Sequence, residues 1–175
     1  MHLDSEQRQI AARAAAAGAL ILLTALLVRE TGWRPFNFGS GPLERLGFGL
    51  ACLLPVTLCL AAAVGAQARQ RFMDVRDRAG ATAGTGSLQA AKLAALTQNT
   101  LEQTVLAMPA YLGGALLLPE PWLGTVGAAA VLFVIGRLAF ARGLDEGAVG
   151  RAFGFALTFL PTLALLGASI GLVAR

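Results

Sequence analysis

The 175-residue chain is 56% hydrophobic and only 14% charged, with a mean hydropathy of +0.66 and a net charge of +4. A soluble domain of this size, with about a quarter of its residues charged, could not hide that much apolar surface. The balance excludes a disordered chain, a coiled coil and a disulfide scaffold, and leaves a single polytopic membrane domain.

Five apolar blocks follow one another, at about Ile10–Val28, Leu46–Ala66, Leu88–Leu118, Leu123–Ala141 and Arg151–Val173. Each reaches the roughly 20 residues that a spanning helix needs. Asp4 and Glu6 do not suit the basic leader of a signal peptide, so the first block reads as a helix, with Arg13 near enough to its end to snorkel. In the second block Cys52 and Cys59 lie seven apart, roughly 10 Å along a helix, and read as unbridged hydrophobes. The connection Gln67–Ser87 carries four Arg and three Gly, and Ser87 is the expected N-cap of the third helix.

That third block holds 31 residues, a helix of about 46 Å, so one end projects beyond the hydrocarbon. Its first half carries Lys92, Gln98, Asn99, Glu102 and Gln103, a stripe that should look inward. An ionisable residue inside a span marks a functional site by default. Glu102 therefore needs a cationic partner, and Arg137 in the fourth block, set among Ile135, Gly136, Leu138 and Ala139, is the natural one. Pro55, Pro109 and Pro161 should bend their helices. The pairs Gly150/Gly154 and Gly167/Gly171 should let the fifth helix pack closely.

Thirteen of the fourteen cations are Arg, and they sit at block ends. That placement sets topology and meets lipid headgroups; it does not point to nucleic acid. Arg8, Arg13, Arg69, Arg71, Arg76, Arg78 and Arg142 fall on one side, with Lys92, Arg137 and Arg151 near it; Arg29, Arg34, Arg45 and Arg175 fall on the other. The richer side is expected to be cytoplasmic. This gives an N-in, C-out multi-pass protein with Trp33 and Trp122 as anchors at the outer face. No metal-ligand spacing is present: the chain has one His and two Cys.

The run Gln98-Asn99-Thr100-Leu101-Glu102-Gln103 resembles the signature of the MAPEG family, membrane-associated proteins in eicosanoid and glutathione metabolism. Gln67-Ala68-Arg69-Gln70-Arg71 is similar to the end of that family's first helix. Gly136-Arg137-Leu138-Ala139-Phe140 and Arg151-Ala152-Phe153-Gly154 are similar to its last two. The resemblance covers about residues 46–173 and looks like a divergent, bacterial-type member. It implies an all-α membrane protein: a four-helix transmembrane bundle over 46–175, preceded by one extra N-terminal transmembrane helix and an outer loop over 1–45.

The same resemblance implies a homotrimer that binds glutathione between subunits near the cytoplasmic surface. Arg69, Asn99, Glu102 and Arg137 would hold the tripeptide, and Arg151 would stand beside the thiol as the catalytic residue. If active, the chain would be a glutathione S-transferase or a glutathione peroxidase-like enzyme, working on a lipophilic small molecule drawn from the lipid bilayer. The chain departs from the family pattern at Ala95 and Gln98, where glutathione-using members carry Arg. It departs again at Phe140 and Leu144, where they carry Tyr. Those changes fit an alternative: a non-catalytic trimeric scaffold, or a binder of another small anion, that keeps the bundle without the chemistry.

Overall fold

A computed structural model of the chain describes residues 4–35, 39–78 and 86–175. Five long helices form: α1 Ser5–Thr31, α2 Pro42–Met73, α3 Leu88–Leu117, α4 Glu120–Arg142 and α5 Gly147–Val173. Asp4 caps α1 in a reciprocal capping box with Gln7, and Gly32, at φ 64°, ends it in the left-handed region that glycine tolerates. Pro42 opens α2 at a position where the missing N–H is not needed. The Ser87 hydroxyl accepts from the Ala90 amide, as expected of the α3 cap. Leu118 is extended because Pro119 follows it, and α3 stops there.

Except for α3, the helices run past the ends of the apolar blocks, and two of these extensions bear on the site. α2 continues through Arg69 and Arg71 to Met73 and then enters a 3-10 turn over Val75–Asp77. α5 begins at Gly147, a turn before Arg151, because the 3-10 turn Gly143–Glu146 runs straight into it. Gly80 and Gly84 of the connection lie outside the described residues. Pro55, Pro109 and Pro161 sit inside continuous helices.

Among the described residues, three stretches are long and apolar enough to cross a membrane: Ser5–Thr31, Pro42–Met73 and Glu120–Val173, the last holding both α4 and α5. α3 is as long as the others but falls short in hydropathy, because its first half carries the polar stripe. It is nevertheless built into the bundle. Phe48, Cys52 and Val56 of α2 pack with Ala107 and Tyr111 of α3 and Val126 and Phe133 of α4 in one apolar core. The protein is an all-α membrane bundle of α2–α5 with α1 laid against α4 and α5. α1 buries only Ala17 and Val28 and leaves a broad leucine face outward, as a peripheral membrane helix would.

Polar contacts fix which ends meet. At one end Arg13 of α1 donates to the Val149 carbonyl (3.1 Å), and Lys92 of α3 pairs with Asp145. At the other end Arg34 and Arg45 both reach Glu120, and the Trp33 carbonyl lies against Gly124. Here a Cβ on Gly124 would come within 2.0 Å of that oxygen, so only glycine fits.

α4 and α5 approach closely. A Cβ on Gly154 would lie 2.4 Å from the Phe140 amide nitrogen and 2.6 Å from the Gly136 carbonyl oxygen. The Gly150/Gly154 pair therefore does what the sequence predicts. Gly167 and Gly171 do not: a Cβ at either meets nothing within 4 Å among the described residues.

Candidate functional site

The polar stripe of α3 is divided by the fold. Thr100, Gln103, Thr104 and Ala107 turn inward and are buried. Glu102 lies about 200° around the helix from Thr100, so it faces out of the chain, with Gln98 one turn below it. The expected Glu102–Arg137 pair is not formed. Gln98 Nε2 donates to Glu102 Oε1 instead, at 2.9 Å on the exposed surface. The reason is rotational: with the threonines facing the core, a helix has no room to turn Glu102 the same way.

Arg137 is buried, at 4% exposure, and bonds to neutral groups. Nη1 donates to Asn99 Oδ1 at 2.7 Å, and Nη2 donates to Thr158 Oγ1 at 2.7 Å. Its guanidinium also stands 4.7 Å from the Phe140 ring centroid and 5.6 Å from that of Phe133. A cation held over ring faces gains from their quadrupoles, which partly offsets its desolvation. Among the described residues the Nε atom has no partner, and neither does Oε1 of Gln103, one turn from Asn99. Unsatisfied polar capacity of opposite sense thus remains beside the Asn99–Arg137 bond.

Thr158 was not singled out from the sequence. The signal was present: Gly154, Thr158 and Thr162 recur every fourth residue on α5. The small first member lets α4 approach, and the second supplies an acceptor to it. The Thr158 hydroxyl in turn donates to the Phe155 carbonyl at 2.9 Å, so its lone pairs face Arg137.

Arg151 is half-buried in the second turn of α5. Its Nε donates to the Gly147 carbonyl at 3.1 Å, and its guanidinium lies 5.8 Å from the Phe140 centroid. Phe140 therefore sits near two guanidiniums, those of Arg137 and Arg151. Because α5 starts at Gly147, Arg151 does not occupy the helix N-terminus expected from the sequence.

Arg69 is exposed on the last turns of α2. The Thr97 hydroxyl lies 3.2 Å from the Ala63 carbonyl, which sets the antiparallel register of α2 and α3. Counting six residues along each helix puts Arg69 level with Ala91, about 12 Å below Asn99. It also lies about 120° around α2 from Ala63, so it faces away from α3 of its own chain. One chain thus joins Asn99 to Arg137 and sets Arg151 near it across Phe140, while Glu102 and Arg69 stay on the outer surface.

The connection below the site is clasped by Asp77, which is buried at 3% exposure. Its carboxylate accepts from the Ser87 amide (2.7 Å), the Ser87 hydroxyl (2.7 Å) and Gln70 Nε2 (2.9 Å). Those bonds, the Ser87 amide first, hold its pKa below the usual carboxylate value. Asp74 is likewise lowered, chiefly by the Arg76 side chain. Asp77 thereby ties the end of α2 to the start of α3, the helix that carries Asn99 and Glu102.

The model of the MAPEG family matches residues 46–171, which is α2 from near its start through nearly all of α5. The chain belongs to the MAPEG family. α1 lies outside the matched region. No curated protein and no solved structure matches the chain. Within this MAPEG chain, the described residues hold no group of three or more His, Cys, Asp or Glu side chains that could bind a metal.

Proposed function

We propose that this MAPEG protein binds glutathione on the α3 face around Asn99 and Glu102, between subunits of a homotrimer. One observation carries the reading: Gln98 and Glu102 form a hydrogen-bonded pair on the outer face of a helix inside a membrane bundle. A carboxylate is expensive to leave against lipid, so that face needs a polar cover. A neighbouring subunit supplies the cover and brings its own Arg69, which each chain turns away from its own α3. The unsatisfied Arg137 Nε and Gln103 Oε1 beside Asn99 support a polar ligand and its water at this level. The roughly 12 Å between the levels of Asn99 and Arg69 matches the length of an extended tripeptide, about 10 Å.

Glutathione supplies a thiol nucleophile. In this arrangement Asn99 and Glu102 orient the peptide part, Arg69 meets a carboxylate, and Arg137 holds Asn99 in place. Arg151 presents positive charge where a thiol ionises, which favours the nucleophilic form. The charge asymmetry of the sequence supports a cytoplasmic position for this end of the bundle, with the Trp33 and Trp122 end outside. The second substrate is a lipophilic electrophile or peroxide from the bilayer.

A second reading rests on Phe140. Its ring stands within 4.7 and 5.8 Å of the Arg137 and Arg151 guanidiniums, and it offers no hydrogen to a sulfur atom. A trimeric scaffold or small-anion binder without catalysis fits that apolar wall. Calorimetric titration of the detergent-purified protein with glutathione separates the two. Saturable heat that is lost in Asn99→Ala supports the glutathione site; no heat from the trimer leaves the scaffold.

A further inference from the structure

Between α1, α4 and α5, at the end of the bundle opposite Arg137, lies a cavity of about 510 Å³. Its α4 wall runs from Trp122 to Leu132 and its α5 wall from Pro161 to Leu172. These are rises of ten and eleven residues, about 15–16 Å, which is half the roughly 30 Å hydrocarbon core. The cavity is therefore one leaflet deep. Its α1 wall, Ile21 to Ala25, belongs to the helix outside the family match, so the cavity exists because this chain adds α1.

The walls offer almost nothing polar. The two hydroxyls that line it are bonded within their own helices: Thr24 to the Leu20 carbonyl (2.7 Å) and Thr125 to the Trp122 carbonyl (2.5 Å). Gly171 leaves its wall open, since a Cβ there meets nothing within 4 Å. Polarity returns only at the mouth. There Trp122 lies beneath the Arg29 guanidinium at 5.2 Å, and Arg175 joins the lining. Arg34 and Arg45 at this end are both bound to Glu120, whereas among the described residues no carboxylate pairs with Arg175.

We propose that this cavity holds one acyl chain of an anionic phospholipid from the leaflet on the Trp122 side, with the lipid phosphate against Arg175. Depth, apolar walls and a cation at the interfacial mouth that no described carboxylate pairs with are the three features such a lipid requires. The site is independent of the glutathione reading, because Trp122 and Arg137 are fifteen residues apart on α4, about 22 Å.

Trp122 reports on it directly. Trp33→Phe leaves Trp122 as the only tryptophan. This protein is reconstituted in phosphatidylcholine vesicles containing phosphatidylglycerol with brominated acyl chains, which quench nearby tryptophan. The expected result is a quenching plateau at a several-fold lower mole fraction than brominated phosphatidylcholine needs. Gly171→Leu and Ala164→Phe, each added to Trp33→Phe, fill the cavity and should each abolish the low-fraction plateau with helicity by circular dichroism unchanged. Arg175→Ala, which leaves the walls intact, should abolish the headgroup preference and keep the quenching. Native mass spectrometry of the unaltered protein should show one phospholipid retained per chain. Quenching proportional to bulk fraction, equal for both headgroups and unaltered by filling, overturns the proposal. So does a Trp122 that no lipid quenches, as when a second copy of the chain covers the cavity.

Discussion

Asn99 Oδ1 receives a hydrogen bond from Arg137 Nη1 at 2.7 Å, and this bond joins α3 to the most buried cation among the described residues. The partner of Arg137 is thus an amide, with Thr158 as the second, and no carboxylate among the described residues pairs with it. Bonds from a charged donor to neutral acceptors are each worth about 1.5–3 kcal/mol when their loss leaves a buried group unpaired. Asn99→Ala should destabilise the bundle by about that amount. Arg137→Ala should cost roughly 2–4 kcal/mol, through the lost bonds and the space it opens. The double variant should fall short of the sum by about 0.5–3 kcal/mol. Reversible unfolding in mixed micelles measures all four proteins, and strict additivity would refute the bond.

Arg137→Met tests the charge separately. Both variants remove the cation and its desolvation cost, but methionine also fills most of the space, so Arg137→Met should be more stable than Arg137→Ala by about 1–3 kcal/mol and close to the unaltered protein. It should also lose whatever ligand affinity depends on holding Asn99. A methionine variant several kcal/mol less stable than the unaltered protein would mean that the bonds and ring contacts of the guanidinium outweigh its desolvation cost.

Gly154→Ala places a methyl 2.4 Å from backbone atoms of α4 that cannot give way. The helices must separate, and the Arg137–Thr158 bond lengthens with them. The expected loss is about 1–3 kcal/mol or more. Gly167→Ala, whose methyl meets nothing, should instead gain about 0.4–1 kcal/mol from lower freedom of the unfolded chain. Similar effects for the two would show that α4 and α5 do not approach as described.

The Asp77 clasp carries a pH dependence. Its folded pKa lies below the unfolded value of about 3.9, so its contribution is present above that value and lost as pH falls through the folded one. Exchange of the Ser87 amide should stay slow above about pH 4 and accelerate only on further acidification. Asp77→Asn keeps the shape and loses the charge, and should exchange faster at neutral pH. Protection that instead vanishes between pH 5 and 7 would assign the clasp to another group.

If glutathione occupies the α3 face, Arg69 and Arg151 divide the work. Arg69→Ala should weaken binding roughly tenfold or more, as expected for one lost charge-assisted contact, and leave the thiol pKa of the bound tripeptide alone. Arg151→Ala should do the reverse, raising that thiol pKa while sparing most of the affinity. The ultraviolet absorbance of the thiolate, followed against pH, reads both. Bound glutathione without a lowered thiol pKa in the unaltered protein would favour the scaffold.

Composition alone settled that this is a membrane bundle, because 56% hydrophobic residues in blocks of about 20 have no other place to go. The Ser87 cap and the Gly150/Gly154 contact were legible for a local reason: a capping hydroxyl and a missing Cβ act on their nearest neighbours. The family was legible in short runs on four helices, and the family match spans them all. What the sequence could not decide was rotation. Spacing puts Asn99, Glu102 and Gln103 within one stripe, but only the packing of Thr100, Thr104 and Ala107 against the other helices decides which edge of it turns inward. That rotation gave Arg137 to Asn99 and left Glu102 outside, and the helix-to-helix register chose Thr158 as the second partner. Gly167 and Gly171 teach the same lesson from the other side. A small residue permits close approach, but a neighbour must be there to make it, and in this chain only the tertiary arrangement shows that none is.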